Sequence, residues 1–417
     1  EALRHPESCF SHFGLECVGP VDGHDLGALL DLFRAARDCE RPLLLHCKTE
    51  KGRGFAFSAS DPTTFHSPPP FVVRGGGAAV RKGGRSFTAA FSDALGALME
   101  RDPEVVAVTA AMPHGTGLAP LAERFPERVF DTGICEGHAM DMCAGMAKAG
   151  LKPFFAVYST FAQRALDQAF QEVALQGLPV RVCMDRAGFV GGDGAVHHGF
   201  MDIALFRPLV GSVCLAASDE VNLAAALDFL HRHTAGPTFL RYPRGPVAEP
   251  PLEGEVPPYE LGRAHLVRPA AAGPRVAILA LGPLVYEAAA ALEGLGRDDV
   301  ALYDARFAKP VDVELLARLT RTGCAILTLE DHSRAGGFGA AVLEACNDHG
   351  LPAGRIRRLA MPERWIPQGS RAGQLAEAGL DREAIAAAVE ELVDAAPRVR
   401  IRGGLPGQPA AAGRRSR

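Results

Sequence analysis

The densest gathering of reactive side chains in this sequence is Asp185-Arg-Ala-Gly-Phe-Val-Gly-Gly-Asp-Gly-Ala-Val-His-His-Gly199. It follows the apolar run Val180–Met184, so it should leave the carboxyl end of a buried strand, where open α/β sheets place their ligands. Its five glycines keep the backbone approachable, while Asp193, His197 and His198 supply titratable groups. A solvated turn is the bland alternative. Turns rarely collect two histidines, two aspartates and an arginine behind a buried strand.

Other clusters point the same way. Ile134-Cys-Glu-Gly-His138 precedes a Gly/Ala-rich helix over 139–148, and Glu136 at its start is either a dipole-complementing cap or a working carboxylate. Tyr158-Ser-Thr-Phe-Ala-Gln-Arg164 ends one strand and opens a helix, and Arg241-Tyr-Pro-Arg-Gly245 ends another. Arginines at strand ends and helix N-termini are natural phosphate clamps, so two convergent ones suit an anionic substrate. Near the start, Gly19-Pro-Val-Asp-Gly-His-Asp25 and Lys48-Thr-Glu-Lys-Gly-Arg-Gly-Phe55 read as Gly-rich turns, in which Lys51 and Arg53 could cradle phosphate or form an ordinary basic loop. His66 stands in a Pro-rich segment with no periodic reason to be core.

These clusters need a scaffold, and the chain supplies one. Short β-branched runs (105–109, 154–158, 180–184, 276–281, 300–304, 325–329) alternate with helical patterns such as 160–175 and 219–231. That rhythm predicts an α/β fold of doubly wound, mostly parallel sheets. At 417 residues there is length for about three domains. Residues 1–60 carry one helix (26–37), one strand (43–47) and a loop, too little for a core of their own, and a Pro/Gly-rich stretch follows from Pro62; 1–75 form the first block. A second domain spans 86–245, a Pro-rich acidic linker follows, and a third domain spans 260–395. The tail, 396–417, reads as disordered.

Composition closes other routes. The chain is 47% hydrophobic and 22% charged with a net charge of −5, so no basic field draws nucleic acid or an anionic membrane, and no apolar run is long enough to span a bilayer. Ten scattered cysteines without a CxxC pair suggest reduced, mostly buried thiols in a cytoplasmic protein. The chain opens at Glu1 rather than Met, and nothing like a signal peptide follows.

Taken in order, GPVDGHD, KGRG, TFH, TAAMPHGTGL (109–118), YSTFAQRA, DRAGFVGGDG, RYPRG, FAKPVD (307–312) and GGFG (336–339) resemble the 1-deoxy-D-xylulose-5-phosphate synthase family of the transketolase superfamily. The resemblance runs from about Phe10 to Leu392. It implies thiamine diphosphate as cofactor, and condensation of pyruvate with glyceraldehyde 3-phosphate with release of carbon dioxide. Glu136 matches the glutamate that bonds N1′ of the aminopyrimidine, favouring the imino tautomer that deprotonates the thiazolium. Phe161 matches the aromatic that stacks on the pyrimidine. Lys51 and His66 match residues at the cofactor and reacting centre, and Phe55 falls where a cofactor-contacting tyrosine is usual. Tyr158, Arg164, Asp193, His197 and Arg244 match the acceptor-binding set, with Arg164 and Arg244 on the phosphate and His197 and His66 moving protons.

The chain also departs from that pattern. Gly137 stands where the family has Gln, and His198 where another residue is commoner. A strand-borne GDG…N motif for Mg²⁺ and diphosphate is lacking; Gly192-Asp193-Gly194 with Asn222 mimics it, but Asn222 falls inside the helix over 219–231 rather than at a strand end. The Mg²⁺ ligands are thus expected in an N-terminal domain of which 1–75 is a remnant. By resemblance the protein is a homodimer. The alternatives are a split synthase completed as a heteromer by a separate diphosphate-binding chain, a non-catalytic homologue, and the β chain of a 2-oxo acid dehydrogenase.

Overall fold

A computed structural model describes residues 9–395 except 63, 67, 69, 81–82, 249–251 and 253–254, so the expectation for the tail at 396–417 lies outside the described residues. The chain divides into one unit ending at Gly83 and another starting at Gly84.

In the first unit, parallel strands β1 (Glu16–Asp22) and β2 (Leu43–Lys48) flank the helix Leu26–Arg37, whose first turn is capped by Asp25 accepting from the Ala28 amide. The Gly-rich turn expected at 19–25 is therefore half strand, because Gly19 to Asp22 complete β1. Gly19 is needed there: its φ is +120°, and a Cβ would lie 2.4 Å from the His46 carbonyl oxygen. A short helix, Ala56–Ser60, and a hairpin of β3 (Phe71–Arg74) with β4 (Gly77–Val80) follow, and a 3-10 turn, Cys9–Phe13, precedes β1. The helix Leu26–Arg37 buries no residue. Its apolar positions Leu26, Leu30 and Phe33 lie on one face and are all exposed.

The second unit contains two sheets. The first runs β14-β9-β10-β8-β7-β5-β6, with β5 (Val105–Thr109), β6 (Val129–Asp131), β7 (Lys152–Tyr158), β8 (Arg181–Asp185), β9 (Val213–Ala216) and β10 (Thr238–Arg241) parallel. Its edge strand β14 (Phe307–Lys309) comes from the C-terminal part and lies antiparallel on β9. The second sheet runs β11-β13-β12-β15-β16: β11 (His265–Arg268) is antiparallel to β13 (Val300–Asp304), while β12 (Val276–Ala280), β13, β15 (Ala325–Ser333) and β16 (Ile356–Met361) are parallel. Every residue of β5, β8, β12 and β13 is buried, as strands covered on both faces must be. Six of the ten cysteines are buried. Among the described residues no helix is long and apolar enough to cross a membrane.

Two local expectations change. The single helix expected over 160–175 is a succession of short turns (Ser159–Ala162, Gln163–Ala165, Leu166–Gln168) ending in a wider π-type stretch, Ala169–Ala174. Such departures from regular winding recur at functional sites, where they re-aim side chains. The linker expected at 246–258 is tied down at both ends: Val247 is buried and paired through its amide to the Arg85 carbonyl, and neighbouring Tyr259 is buried too. Glu330-Asp-His332, just ahead of GGFG, forms the end of β15, and all three side chains are buried. Asp331 accepts from Arg241 (3.1 Å) and Arg371 (2.8 Å), and Glu330 caps the helix Phe338–Asp348 by accepting from the Phe338 and Gly339 amides.

Lys309 fastens the same interface from the edge of the first sheet. Its ammonium donates to the carbonyls of Arg207 (2.8 Å) and Leu209 (2.6 Å) and to Ser212 Oγ (3.1 Å). A half-buried ammonium is tolerated where its donors are met in this way.

Candidate active site

Glu136 opens the helix Glu136–Lys148 and is only 4% exposed. A dipole cap gains from proximity to the helix end and needs no burial, so burial speaks for a further purpose. Its partner is Arg164, whose Nη1 lies 2.5 Å from Oε1. The same guanidinium lies 4.7 Å from the centroid of Phe161. Phe161, Arg164 and Gln168 are three and four residues apart, so despite the irregular winding they share one side. Gln168 reaches Gly137: a Cβ built on Gly137 would fall 3.1 Å from the amide carbon and oxygen of Gln168. The glutamine amide therefore takes the space that a side chain at 137 would need. Its Oε1 is buried without a hydrogen-bond partner.

Tyr158, at the end of β7, stacks parallel to Phe161 with ring centroids 5.6 Å apart. Burial raises the pKa of its hydroxyl, so it stays protonated. The hydroxyl approaches the backbone of Gly115, where a Cβ would come within 2.2 Å of it. Arg186 sits 4.1 Å from the Tyr158 ring centroid, in a left-handed conformation (φ +63°), paired with Asp185 at 3.0 Å. The Arg186 Nε is buried without a partner. Sequence reading left this arginine without a role. Its position directly after β8, inside DRAG, was the signal available.

The loop after β8 brings in the remaining groups. Asp193 pairs with Arg244 at 2.7 Å, and Arg244 also donates to the Val190 carbonyl at 3.2 Å. His197 packs edge-on to Phe161 at 5.7 Å, and its Nδ1 lies 3.1 Å from the Asp193 carbonyl oxygen. A carbonyl can only accept, so Nδ1 carries a proton, and in the neutral imidazole that leaves Nε2 as the nitrogen with the lone pair. An unbroken chain of contacts thus joins Glu136, Arg164, Phe161, Tyr158, His197, Asp193 and Arg244. Within it the two expected phosphate arginines stand on different carboxylates, Arg164 on Glu136 and Arg244 on Asp193.

In the first unit, Lys51 Nζ lies 2.7 Å from His66 Nδ1, and Phe55 is exposed beside Phe57, ring centroids 5.5 Å apart. Asn222 lies inside the helix Glu220–Arg232, where its amide donates to Asp219 and its oxygen accepts from Tyr259 and Arg306. It belongs to a buried structural network. Among the described residues no group of three or more His, Cys, Asp or Glu side chains is placed to hold a metal ion.

The chain matches the family models for the transketolase pyrimidine-binding domain over residues 84–249, the transketolase C-terminal domain over 262–385, and 1-deoxy-D-xylulose-5-phosphate synthase over 1–49. It is 41% identical over 394 residues to 1-deoxy-D-xylulose-5-phosphate synthase 1 of Geobacter sulfurreducens, covering 94% of this chain and 61% of that protein. It is 43% identical over 399 residues to the Anaeromyxobacter dehalogenans synthase, covering 94% and 62%. The chain therefore spans less than two thirds of the length of these relatives. Among solved structures it resembles a split-gene transketolase in an inactive β4 tetramer (TM-score 0.64, 27% identity, 76% of this chain and 100% of that one). It shares the fold of the Leishmania mexicana transketolase (TM-score 0.62, 16% identity, 76% of this chain and 47% of that one).

Proposed function

The chain belongs to the 1-deoxy-D-xylulose-5-phosphate synthase family, and we propose that it forms the pyrimidine-binding and C-terminal domains of an enzyme condensing pyruvate with glyceraldehyde 3-phosphate. In this reading residues 86–245 and 260–395 are those domains, and 1–75 are the end of a diphosphate-binding domain. The observation that carries it is the buried Glu136 carboxylate, held in one contact chain with His197, Asp193 and Arg244.

The residues suit the aminopyrimidine half of thiamine diphosphate. Glu136 is a carboxylate shielded from water, Phe161 offers a flat ring, and the orphaned Gln168 Oε1 is an acceptor awaiting a donor. When bound, the cofactor supplies the carbon nucleophile that carries pyruvate's acyl group through decarboxylation to an aldehyde. Glu136 accepts a hydrogen bond or proton at N1′, and Lys51 and Phe55 are its further contacts. Tyr158, Arg164, Asp193 and Arg244 hold the phosphorylated acceptor, and His197 and His66 move protons at its carbonyl. Mg²⁺ and the diphosphate fall to a domain beyond these residues, on the same polypeptide or a separate one, and the assembly is a homodimer or heteromer accordingly.

A second reading is favoured by the likeness to the split-gene transketolase subunit, whose tetramer is inactive. Here this chain is one half of a split synthase and turns over only when a diphosphate-binding chain completes it. Titration of thiamine diphosphate into the 417-residue chain, with and without Mg²⁺, tests the division of labour. Binding should be weak and indifferent to Mg²⁺; tight, Mg²⁺-dependent binding would overturn it. Formation of 1-deoxy-D-xylulose 5-phosphate by the completed enzyme tests the reaction itself.

A further inference from the structure

The loop that carries Asp193 and His197 is held from outside its own sheet. Gln374, on the helix Arg371–Ala378, is 2% exposed and spends its whole amide on this contact. Its Oε1 accepts from the Gly191 amide at 2.9 Å, and its Nε2 donates to the Gly191 carbonyl at 3.0 Å and to the Pro367 carbonyl at 2.9 Å. The orientation is dictated by Gly191, since a flipped amide would set donor against donor and acceptor against acceptor. Gly191 itself is left-handed (φ +75°), a conformation that other residues adopt only under strain.

A second tie lies at the far end of the loop. His198 is 2% exposed; its Nδ1 accepts from the Val190 amide at 3.3 Å, and its Nε2 donates to the Ile366 carbonyl at 3.1 Å. Burial lowers its pKa, which keeps it in the neutral form these bonds need. At the loop's base Gly188 and Gly199 exchange backbone hydrogen bonds, and a Cβ on Gly188 would clash with the Asp331 carboxylate. Asp193 and His197 lie between the two ties. Each tie joins the loop to residues 366–374 of the C-terminal part.

We infer that Gln374 is a positioning residue for the acceptor site, clamping Gly191 so that Asp193 and His197 stand where the phosphorylated aldehyde meets them. The inference rests on the proposed acceptor role of Asp193, His197 and Arg244. It makes the C-terminal part a determinant of acceptor affinity, although none of its side chains need touch the acceptor. Without the amide, the buried Gly191 N–H is left unpaired and its C=O keeps only the longer bonds from the Gly194 (3.2 Å) and Gly369 (3.4 Å) amides, and the loop gains freedom to relieve the orphaned donor.

The test compares the 417-residue chain with its Gln374→Met and Arg244→Met variants. Met keeps the length of the side chain and deletes the amide. Hydrogen exchange should accelerate across residues 192–198 in Gln374→Met, beyond the Gly191 amide itself, while the remaining strands stay protected. Calorimetric titration with D-glyceraldehyde 3-phosphate should show binding weakened about tenfold, as a small misplacement of binding groups produces, and Arg244→Met should weaken it at least as much. Wild-type affinity in Gln374→Met beside lost affinity in Arg244→Met would overturn the inference and leave the acceptor reading standing. If Arg244→Met binds like the unmodified chain, or neither binds, the acceptor reading fails; unchanged exchange at 192–198 would then overturn the clamp as well. Near-ultraviolet circular dichroism reports whether Gln374→Met folds. Should it not, Gln374→Glu, which keeps the acceptor for the Gly191 N–H, replaces it with the same expected outcomes.

Discussion

Arg164 and Glu136 form an ion pair of 2.5 Å in which the carboxylate is buried and the guanidinium is half exposed. The asymmetry matters because the two residues carry different burdens. Arg164 is itself already half solvated and can turn to solvent or to an incoming anion, at the cost of unpairing Glu136, whereas Glu136 cannot leave the helix start that buries it. The pair thus resembles a latch more than a structural bridge.

Glu136→Gln should therefore preserve the fold and remove the chemistry. We expect turnover of the completed enzyme to fall by roughly 10²–10⁴, the usual worth of a positioned acid–base group, with the melting temperature within a few degrees of wild type. Near-normal turnover would remove Glu136 from its role. Arg164→Met, in contrast, leaves a buried carboxylate unpaired; after discounting for the exposed guanidinium it should cost about 1–2 kcal/mol. That loss should shrink in the Glu136→Gln/Arg164→Met double variant, which a thermal-unfolding cycle measures.

Gly137 and Gln168 should be energetically coupled. Replacing a helical glycine by alanine ordinarily gains about 0.5–1 kcal/mol. Here the new methyl meets the Gln168 amide, so Gly137→Ala should show little or none of that gain in the wild-type background. With Gln168→Ala in place the gain should appear in denaturant unfolding. Equal effects in both backgrounds would show that the glutamine does not fill the space.

Burial pushes the Glu330 carboxyl up to about 7 and Asp304 up to about 6, from ordinary values of 4.5 and 3.8. The native state then binds more protons than the unfolded chain between roughly pH 4 and 7, so stability should fall as pH rises through that window. Chemical denaturation at pH 5 and pH 8 measures this. Glu330→Gln and Asp304→Asn should each flatten the slope, by an amount on the order of 1–3 kcal/mol across the window.

Asp102 acts in the opposite sense at lower pH. Burial alone would raise its pKa, but the hydrogen bonds from Lys152 and His231, both at 2.6 Å, outweigh that and hold it well below the ordinary value. A depressed carboxylate stabilises the fold above its unfolded pKa, and that contribution is lost as pH falls below about 4. Asp102→Asn should abolish this acid-side loss. An unchanged acid limb in that variant would assign the loss to other carboxylates.

Much of this molecule was written in local pattern. Continuous apolar runs such as Val105–Thr109 and Val300–Asp304 are strands in the fold with the same limits, because a strand buried on both faces needs no distant information to be read. The side chains that the fold joins in one contact chain were visible as types too: Glu136 before its helix, and Asp193 and His197 after β8. Irregular winding was not: the helix expected over 160–175 breaks into short turns and a π-type stretch, and its Gln168 lies against Gly137, a contact outside the reach of local propensity.

Near neighbours in the chain are enough to set the alternation of strand and helix and the kinds of side chain at each strand end. Which of these side chains meet is set by the three-dimensional fold alone. It placed β14 on the edge of the first sheet, gave Arg164 to Glu136, turned the His197 Nδ1 proton to the Asp193 carbonyl, and brought Gln374 across 183 residues of chain to Gly191. Such pairings depend on burial and on hydrogen-bonding capacity left unmet elsewhere, and neither exists until the two sheets have closed on each other.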